Sequence, residues 1–449
     1  MASISALGIG SGLDLNGLLD QLTAAEKQKL TPIAQKQQSY QAKISAFGKL
    51  ESALAKFREA AEKLDDPKQF QTVQKTVTGE ALTAGTANGA PVGTYNITVT
   101  DTARAYSIAT LGVADQEVSL GGGTLTFTRG DGESFSVTVD GDDSSLEDIR
   151  DAINAANGGV RASIVNDGGA QPYRLMLSSE DTGTDAAVTE MSFSGDLGAA
   201  LTLDAATEVT ARDARLTVNG IEVVSQSNHV EEAIQDVTLN ITEAGDATLE
   251  ISRDDKAIKE TVGAFVAAYN DLKSVMDDLT QYDAESGRAG VLLGNSTLRG
   301  VESRLRGVLA GGVAEGDFHT LSDIGIKLQL DGTLKVDDEA LDAAIGDNVG
   351  GVSRFFAGVS KSDGLAAGLD QVLGDILDDR GLLDNATEGL NSSIDSLQKT
   401  YDRTLERINA TIDRYRIQFG QLDSLVAQMN STSSYLTQQF DALNALNKR

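Results

Sequence analysis

The chain of 449 residues has no cysteine and no tryptophan, and it contains only four prolines and two histidines. Without cysteine it can form neither a disulfide nor a thiolate metal site, and it has no thiol nucleophile. No apolar run approaches the roughly 18 residues that a membrane-spanning helix needs. The first residues also lack the basic and apolar segments of a cleaved signal peptide. We therefore expect no membrane insertion, and any export must use a different address.

Positive charge is scarce as well. The 37 Lys and Arg residues face 67 Asp and Glu residues, which leaves a net charge of −30. Such a chain is an unfavourable partner for nucleic acid or for an anionic membrane. Residues 106–211 carry 18 acidic side chains and four Arg, a net charge of −14. We interpret this segment as a highly solvated outer surface.

Motifs for catalysis are weak. The stretch Gly8–Gly12 (GIGSG) has the glycines of a dinucleotide loop, but no strand precedes it. The acidic turn 140–143 lacks the Gly and the terminal Glu of a calcium loop. His229 and His319 do not have the spacing of zinc ligands. The sequence therefore predicts no enzyme activity, no cofactor and no catalytic or metal site.

The strongest pattern lies at the C-terminal end, where large apolar residues recur in steps of three and four. A period of 3.5 residues is the seam of a coiled coil, here a rod of about 58 Å. Only Ser433 interrupts it, and between Ile417 and Asn447 the only charges are Asp423 and Asp441. The predicted seam, with Leu425 beside it, consists of Leu405, Ile408, Ile412, Tyr415, Phe419, Leu422, Val426, Met429, Leu436, Phe440 and Leu443.

The N-terminal end offers a matching partner. A helix begins with Leu13, Leu15, Leu18, Leu19 and Leu22, of which we assign Leu15, Leu18 and Leu22 to the assembly surface. Thr31-Pro32 suggests a break with Thr31 as N-cap, and a second apolar stripe follows from Tyr40. The simplest way to bury both terminal stripes is to pack them together. Such a stripe is more often ordinary core. For the C-terminal stripe, however, the length, the strict period and the uncharged opposite face of the helix favour an assembly surface.

Between the helical ends the pattern changes to alternation. Leu216–Val218, the turn Asn219-Gly220 and Ile221–Val223 predict a hairpin. Ser144 and Glu147 have the spacing of a capping box ahead of a short helix that Gly158 can close, with strands expected at 160–165 and 173–177. A second hairpin is expected at 324–336. Shorter helices should lead to the rod, which we expect to begin near Leu405, where the heptad phase slips.

These patterns together predict a multidomain α+β fold. We expect long terminal coiled-coil helices, a helical head domain, and two β-rich domains inserted between the helical arms. The expected segments are paired legs at 1–45 and 405–449, disordered before assembly; a helical head at 46–80 and 256–404; an inner β-rich domain at 81–105 and 212–255; and an outer acidic domain at 106–211.

The end motifs resemble a known family. GIGSGLDLNGLLDQLTAAE (8–26) and FGQLDSLVAQMNSTSSYLTQQF (419–440) are similar to the two end signatures of the flagellar filament cap proteins, also called hook-associated protein 2. Residues 144–180, centred on INAANGGVRASIVND, resemble the insertion motif shared by flagellins and caps. The resemblance extends over essentially the whole chain.

This resemblance implies a structural protein at the distal tip of the bacterial flagellum, outside the cell. Such caps are exported through the flagellar type III channel without a cleaved signal peptide. They form a ring, commonly of five subunits, in which terminal helices act as legs while flagellin folds and inserts beneath the plate. The implied partners are other copies of the chain, flagellin, the hook–filament junction protein, and an export chaperone on the C-terminal helix.

Two alternatives remain at this stage. A flagellin-like or hook–filament junction protein would also pair its terminal helices, but it would lie along the shaft or at its base. An adhesin would use the β-rich insertion to bind host mucin or glycan, and this activity could coexist with the cap role.

Overall fold

The computed structural model describes residues 8–9, 11–285, 287–360 and 363–446, with side chains of the last helix described as far as Ala442. The chain divides into two compact units, Met1–Asp65 with Thr261–Arg449, and Asp66–Glu260. The described α-helices are α1 (Leu15–Lys27), α2 (Thr31–Asp65), α3 (Leu146–Ala156), α4 (Leu197–Ala200), α5 (Asp255–Thr280), α6 (Ser296–Gly311), α7 (Asp338–Ala357), α8 (Leu365–Leu377) and α9 (Leu382–Leu446).

The strands are short and pair antiparallel throughout the described residues. They are β1 (Val73–Thr78), β2 (Leu82–Thr86), β3 (Gly93–Asp101), β4 (Ser107–Thr110), β5 (Gly123–Arg129), β6 (Ser134–Val139), β7 (Val160–Asn166), β8 (Tyr173–Ser179), β9 (Val188–Phe193), β10 (Leu203–Val209), β11 (Ala214–Val218), β12 (Ile221–Ser225), β13 (His229–Ile234), β14 (Val237–Ile241), β15 (Gly245–Arg253), β16 (Tyr282–Asp283), β17 (Arg288–Ala289), β18 (Ile326–Leu328) and β19 (Leu334–Val336).

The helical unit is held by an aromatic core. Phe57 of α2 lies 5.3 Å from Phe265 and 5.5 Å from Tyr269 of α5, measured between ring centres. Phe265 in turn meets Phe356 of α7 edge-on at 5.9 Å. Aromatic pairs at these distances add to the stabilisation from burial alone. Asn270 bonds both backbone groups of Leu334, which fixes the β18–β19 hairpin on α5.

The other unit contains two separate apolar cores. The first lies between the sheet β1-β15-β3-β11-β12 and the sheet β13-β14-β2. The second lies among the sheets β10-β4-β8-β7 and β6-β5-β9, where Ile149 and Ile153 of α3 pack beside Phe127. The predicted hairpin at Asn219-Gly220 is confirmed, with Val218 opposite Ile221 and positive φ at both turn residues.

Several local predictions need correction. Thr31 is itself helical, because a 3₁₀ turn at Gln28–Leu30 carries the chain directly from α1 into α2. The capping box of α3 uses Ser145 and Asp148, while the Ser144 hydroxyl is buried and bonds Ser119. Each half of the α3 prediction was therefore one residue early.

The ends of two other elements also differ from the prediction. Asn157, in the left-handed conformation, closes α3 one residue before the expected Gly158. Ile324 belongs to a 3₁₀ turn, so the second hairpin begins at Ile326. The shorter helices expected ahead of the rod are present as α7 and α8. The rod itself begins at Leu382 rather than near Leu405, because α9 is a single helix of 65 residues and about 97 Å.

Candidate assembly surface

The apolar stripe of α9 begins within a packed core. Ile408 and Ile412 form one buried cluster with Leu19 of α1 and Leu30 of the turn that follows it. The half-buried side chains around this cluster are Tyr401, Leu405, Tyr415 and Phe419. The two terminal helices therefore do bury part of their stripes against each other.

Beyond Phe419 the same stripe is uncovered. The exposed fraction of the side chain rises from 3% at Ile408 to 57% at Leu425 and 63% at Met429. Val426 is half-buried. We call the exposed set the open stripe, and it consists of Leu422, Leu425, Met429, Leu436 and Phe440. A row of large apolar side chains exposed along one helix is a candidate surface for binding another molecule.

The start of the open stripe is tied to the N-terminal segment. The backbone N–H of Ser11 donates to Asp423 Oδ1 at 2.8 Å, and the Ser11 hydroxyl donates to the same oxygen at 2.5 Å. Asp14 then caps α1 by accepting from the N–H of Gly17. The structure describes Gly8, Ile9, Ser11 and Gly12 of the glycine-rich stretch. Ser11 lies beside α9, and the chain then leads into α1. Asp423, one of two charges in this part of the helix, thus has a structural partner.

The predicted positions on α1 differ in burial. Leu15 is buried and Leu22 is half-buried, but Leu18 is 45% exposed. Leu19 and Leu30, which meet Ile408, were missing from the predicted set. The signal for Leu19 was present, because Leu15, Leu19 and Leu22 alternate steps of four and three. Leu443 lies outside the side chains that the structure describes.

Three hydroxyl groups near the open stripe donate their hydrogen bonds within α9. The hydroxyls of Ser424, Thr432 and Thr437 each donate to the carbonyl four residues earlier, at 2.9 to 3.0 Å. Each of these hydroxyls therefore has its donor satisfied inside the helix. Because residues 424–440 carry no charged side chain, another helix can cover this part of α9 without the cost of desolvating a charge.

The weak candidates for catalysis have local explanations. His229 lies in β13, and its hydrogen bonds to Asn240 and Glu231 raise the pKa of the imidazole. His319 Nδ1 lies 3.1 Å from the carbonyl of Val313. Within the described ranges, no group of three His, Cys, Asp or Glu side chains is arranged to hold a metal ion.

The acidic segment 106–211 is partly neutralised internally. Arg174 pairs with Asp167 at 2.7 Å and with Asp204 at 2.8 Å. Burial, together with the nearby Glu208 carboxylate, raises the pKa of Tyr106 to about 12. None of the helices, as far as they are described, is long and apolar enough to cross a membrane.

Comparison with known proteins matches three family models. The N-terminal model of flagellar hook-associated protein 2 matches residues 11–106, and the C-terminal model matches residues 211–431. The flagellin hook IN motif matches residues 124–181. This match begins at 124 rather than at the predicted 144, so it includes β5 and β6.

Similar proteins extend over almost the entire chain. A flagellar hook-associated protein 2 from Escherichia coli K12 is 39% identical over 468 residues, which cover 98% of this chain and 99% of that protein. One from Salmonella typhimurium is 37% identical, covering 99% and 100%. The crystal structure of the D1-D2-D3 domains of the Escherichia coli flagellar cap protein FliD has a TM-score of 0.69 at 34% identity, covering 77% of this chain and 99% of that one.

Proposed function

Because the chain belongs to the flagellar hook-associated protein 2 family, we propose that it caps the distal tip of a bacterial flagellar filament and acts there as a structural protein, outside the cell. One observation of this chain supports the assignment most strongly. The stripe of α9 is buried as far as Ile412 and becomes exposed from Leu422 onwards. A leg that is anchored at one end and exposed at the other suits a subunit that must grip a growing polymer.

The open stripe has the chemistry for this grip. Burying one Leu, Met or Phe side chain contributes about 1.5–3 kcal/mol. The five side chains of the open stripe would together provide on the order of 10 kcal/mol before the costs of association are subtracted. The surrounding Gln, Asn, Ser and Thr side chains add hydrogen bonds that can be exchanged between partners. Such a leg binds firmly enough to stay at the tip and can still exchange contacts as subunits are added.

The partner of the open stripe, in this proposal, is flagellin. Flagellin subunits would emerge beneath a plate formed by the β-rich unit, fold there, and be inserted between the legs. The cap would also prevent their loss. The terminal segments 1–45 and 405–449 would act as these legs, and residues 106–211 would lie on the outer side of the plate.

The proposal includes further partners besides flagellin. A ring of five copies would present several legs at once. A cytoplasmic chaperone would cover the open stripe before type III export, which would need no cleaved signal peptide. The hook–filament junction protein would receive the first cap. Binding of host mucin or glycan by residues 106–211 stays a prediction, which a mucin-binding assay with the full chain can test.

Location is the first test. Electron microscopy of flagella labelled with an antibody against residues 106–211 should show label only at the distal tip. Label along the shaft would indicate a flagellin-like subunit, and label only at the base would indicate a junction protein. Flagella without any label would overturn the flagellar assignment.

Substitution of the open stripe tests the mechanism. Leu425→Asp or Met429→Asp should stop filament growth, because a carboxylate would replace the apolar contact with flagellin. Ala410→Asp is the matched control, since Ala410 is exposed on the same helix but outside the open stripe. Normal filaments from the Leu425→Asp and Met429→Asp strains would refute the role of the open stripe.

A further inference from the structure

The paired helices α2 and α9 each carry a row of charged side chains, which is basic on the α2 side and acidic on α9. Lys36 and Lys43 of α2, and Lys29 of the 3₁₀ turn that leads into it, are spaced seven residues apart. In an α-helix seven residues fall about 20° short of two full turns, so Lys36 and Lys43 share one face, and Lys29 begins the same row one step earlier. We call this face the basic flank. It extends about 21 Å along the helix.

The basic flank is short of carboxylates. Lys29 pairs with Glu26 at 2.6 Å, but Lys36 and Lys43 have no ion pair among the described residues. Their ammonium groups lie 5.9 and 6.0 Å from the ring centre of Tyr40. Lys36 and Tyr40 border a shallow groove whose other wall is hydroxyl-rich and belongs to α9, namely Ser392, Ser393, Ser396 and Thr400. This groove presents positive charge over a polar wall.

An acidic counterpart lies on α9. Glu388, Asp395 and Asp402 are exposed and are also spaced seven residues apart. Asp402 accepts a hydrogen bond from Gln398 at 3.0 Å, and none of the three has an ion pair among the described residues. We call this row the acidic flank. Its length, about 21 Å, equals that of the basic flank.

The two flanks face different directions. Asp395 and Asp402 each follow a groove residue, Ser393 or Thr400, by two positions, which is about 200° around the helix axis. The acidic flank therefore lies on the far side of α9 from the groove that Lys36 borders. Within one chain the two rows cannot pair with each other.

We propose that the basic flank of one subunit binds the acidic flank of a second copy of this chain. This inference rests on the proposed function, because it supplies the lateral contact of the ring. A contact between two different surfaces is heterologous, and it generates a ring when the rotation between neighbouring copies closes. A two-fold dimer through the basic flank would instead oppose lysine to lysine. Exposed ion pairs each add little affinity, so these rows chiefly select the direction and register of the neighbour.

Charge reversal in the full-length chain tests the contact. Lys36→Glu with Lys43→Glu, or Asp395→Lys with Asp402→Lys, should weaken self-association in sedimentation velocity by about tenfold. Combining all four changes should restore it, because the flanks are then complementary again with their signs exchanged. Lys49→Glu with Lys56→Glu is the matched control, since these lysines have the same spacing on α2 but lie on another face.

Several outcomes would overturn the interface. They are unchanged association in either reversed variant, a fourfold variant no better than the reversed pairs, or a wild-type chain that stays monomeric. Should a reversed variant fail to fold, mixed single-cysteine chains give the same answer in this cysteine-free protein. Lys43→Cys and Asp395→Cys chains should form the mixed disulfide, whereas only Lys43→Cys homodimers would contradict the proposal. If the antibody labels the filament tip but self-association does not depend on these charges, the interface is refuted and the proposed capping function still stands.

Discussion

The two halves of α9 share one apolar pattern and differ in everything around it. From Leu382 to Arg416 the helix carries eleven charged side chains, and Ile408 and Ile412 are buried against α1 and the turn after it. From Ile417 to Leu446 it carries only Asp423 and Asp441, and the open stripe is exposed. We call Leu382–Arg416 the near half of α9 and Ile417–Leu446 the far half. The near half is therefore one side of a folded core, and its opposite face is solvated. The far half is equipped to be covered on all sides by other molecules.

This difference shows what a heptad pattern does and does not specify. The repeat requires a partner along the seam, but it does not say whether the partner is in the same chain. The charges on the opposite face carry that information, because a helix that stays solvated keeps charges on its outer side. In this chain the charges stop where the intramolecular partner stops.

The largest expected contrast is in stability. Ile408→Asp should lower the free energy of unfolding of the helical unit by more than about 4 kcal/mol, since it buries an unpaired carboxylate. Leu425→Asp should change it by less than about 0.5 kcal/mol, because the side chain is already exposed. Denaturant titration followed by far-ultraviolet circular dichroism measures both. Equal losses would mean that the far half also packs within the monomer.

Hydrogen exchange gives the next contrast. In the free chain, backbone amides of residues 421–442 should exchange at least about 100-fold faster than those of residues 400–415, because only the near half is held by tertiary packing. This difference would confine the disorder predicted for the C-terminal leg before assembly to the part of α9 beyond the packed cluster. Uniform protection along α9 in exchange mass spectrometry would contradict the comparison.

A smaller effect is expected from charge added to the back of the helix. Gln428→Lys should weaken the contact with a covering helix by about tenfold, or about 1.4 kcal/mol, and so shorten filaments, because the added charge is desolvated in that contact. Asn409→Lys, the same change in the charged near half, should leave filament length unchanged. If both variants grow normal filaments in electron micrographs, the back of the far half stays in water.

The smallest effect concerns the anchor at the boundary between the halves. Ser11→Ala or Asp423→Asn should each cost about 0.5–1.5 kcal/mol, because each weakens the same hydrogen-bonded pair. The double variant should cost little more than either single variant. Additive losses in a double-mutant cycle would show that the Ser11–Asp423 contact is not formed in solution.

Much of this architecture could be predicted from the sequence. The α9 seam, the Asn219-Gly220 hairpin and the β-rich insertion follow from periodicity and turn chemistry, which are local. The Ser11–Asp423 bond could not be found in this way, because its partners are 412 positions apart. A lone acid in an otherwise uncharged run was the only available signal.

The errors have physical causes. Ser144 and Ser145 both fit a capping box by residue type, and tertiary burial of the Ser144 hydroxyl decides in favour of Ser145. The start of the rod at Leu405 was inferred from a slip in heptad phase, but a helix can continue through such a slip. Whether a neighbour is available to cover Leu422 or Leu425 depends on the length of α1, and this is a property of the fold.

A tryptophan reporter tests the central claim most directly. The chain has no tryptophan, and Tyr435, 60% exposed beside Leu436, accepts the substitution Tyr435→Trp without disturbing a core. In the free chain, the tryptophan emission should have the long wavelength of a water-exposed indole and should be readily quenched by iodide. On binding to purified filament ends, the emission should shift to shorter wavelength and become protected. A fluorophore that is already protected in the free chain, or that stays exposed at the tip, would contradict the account.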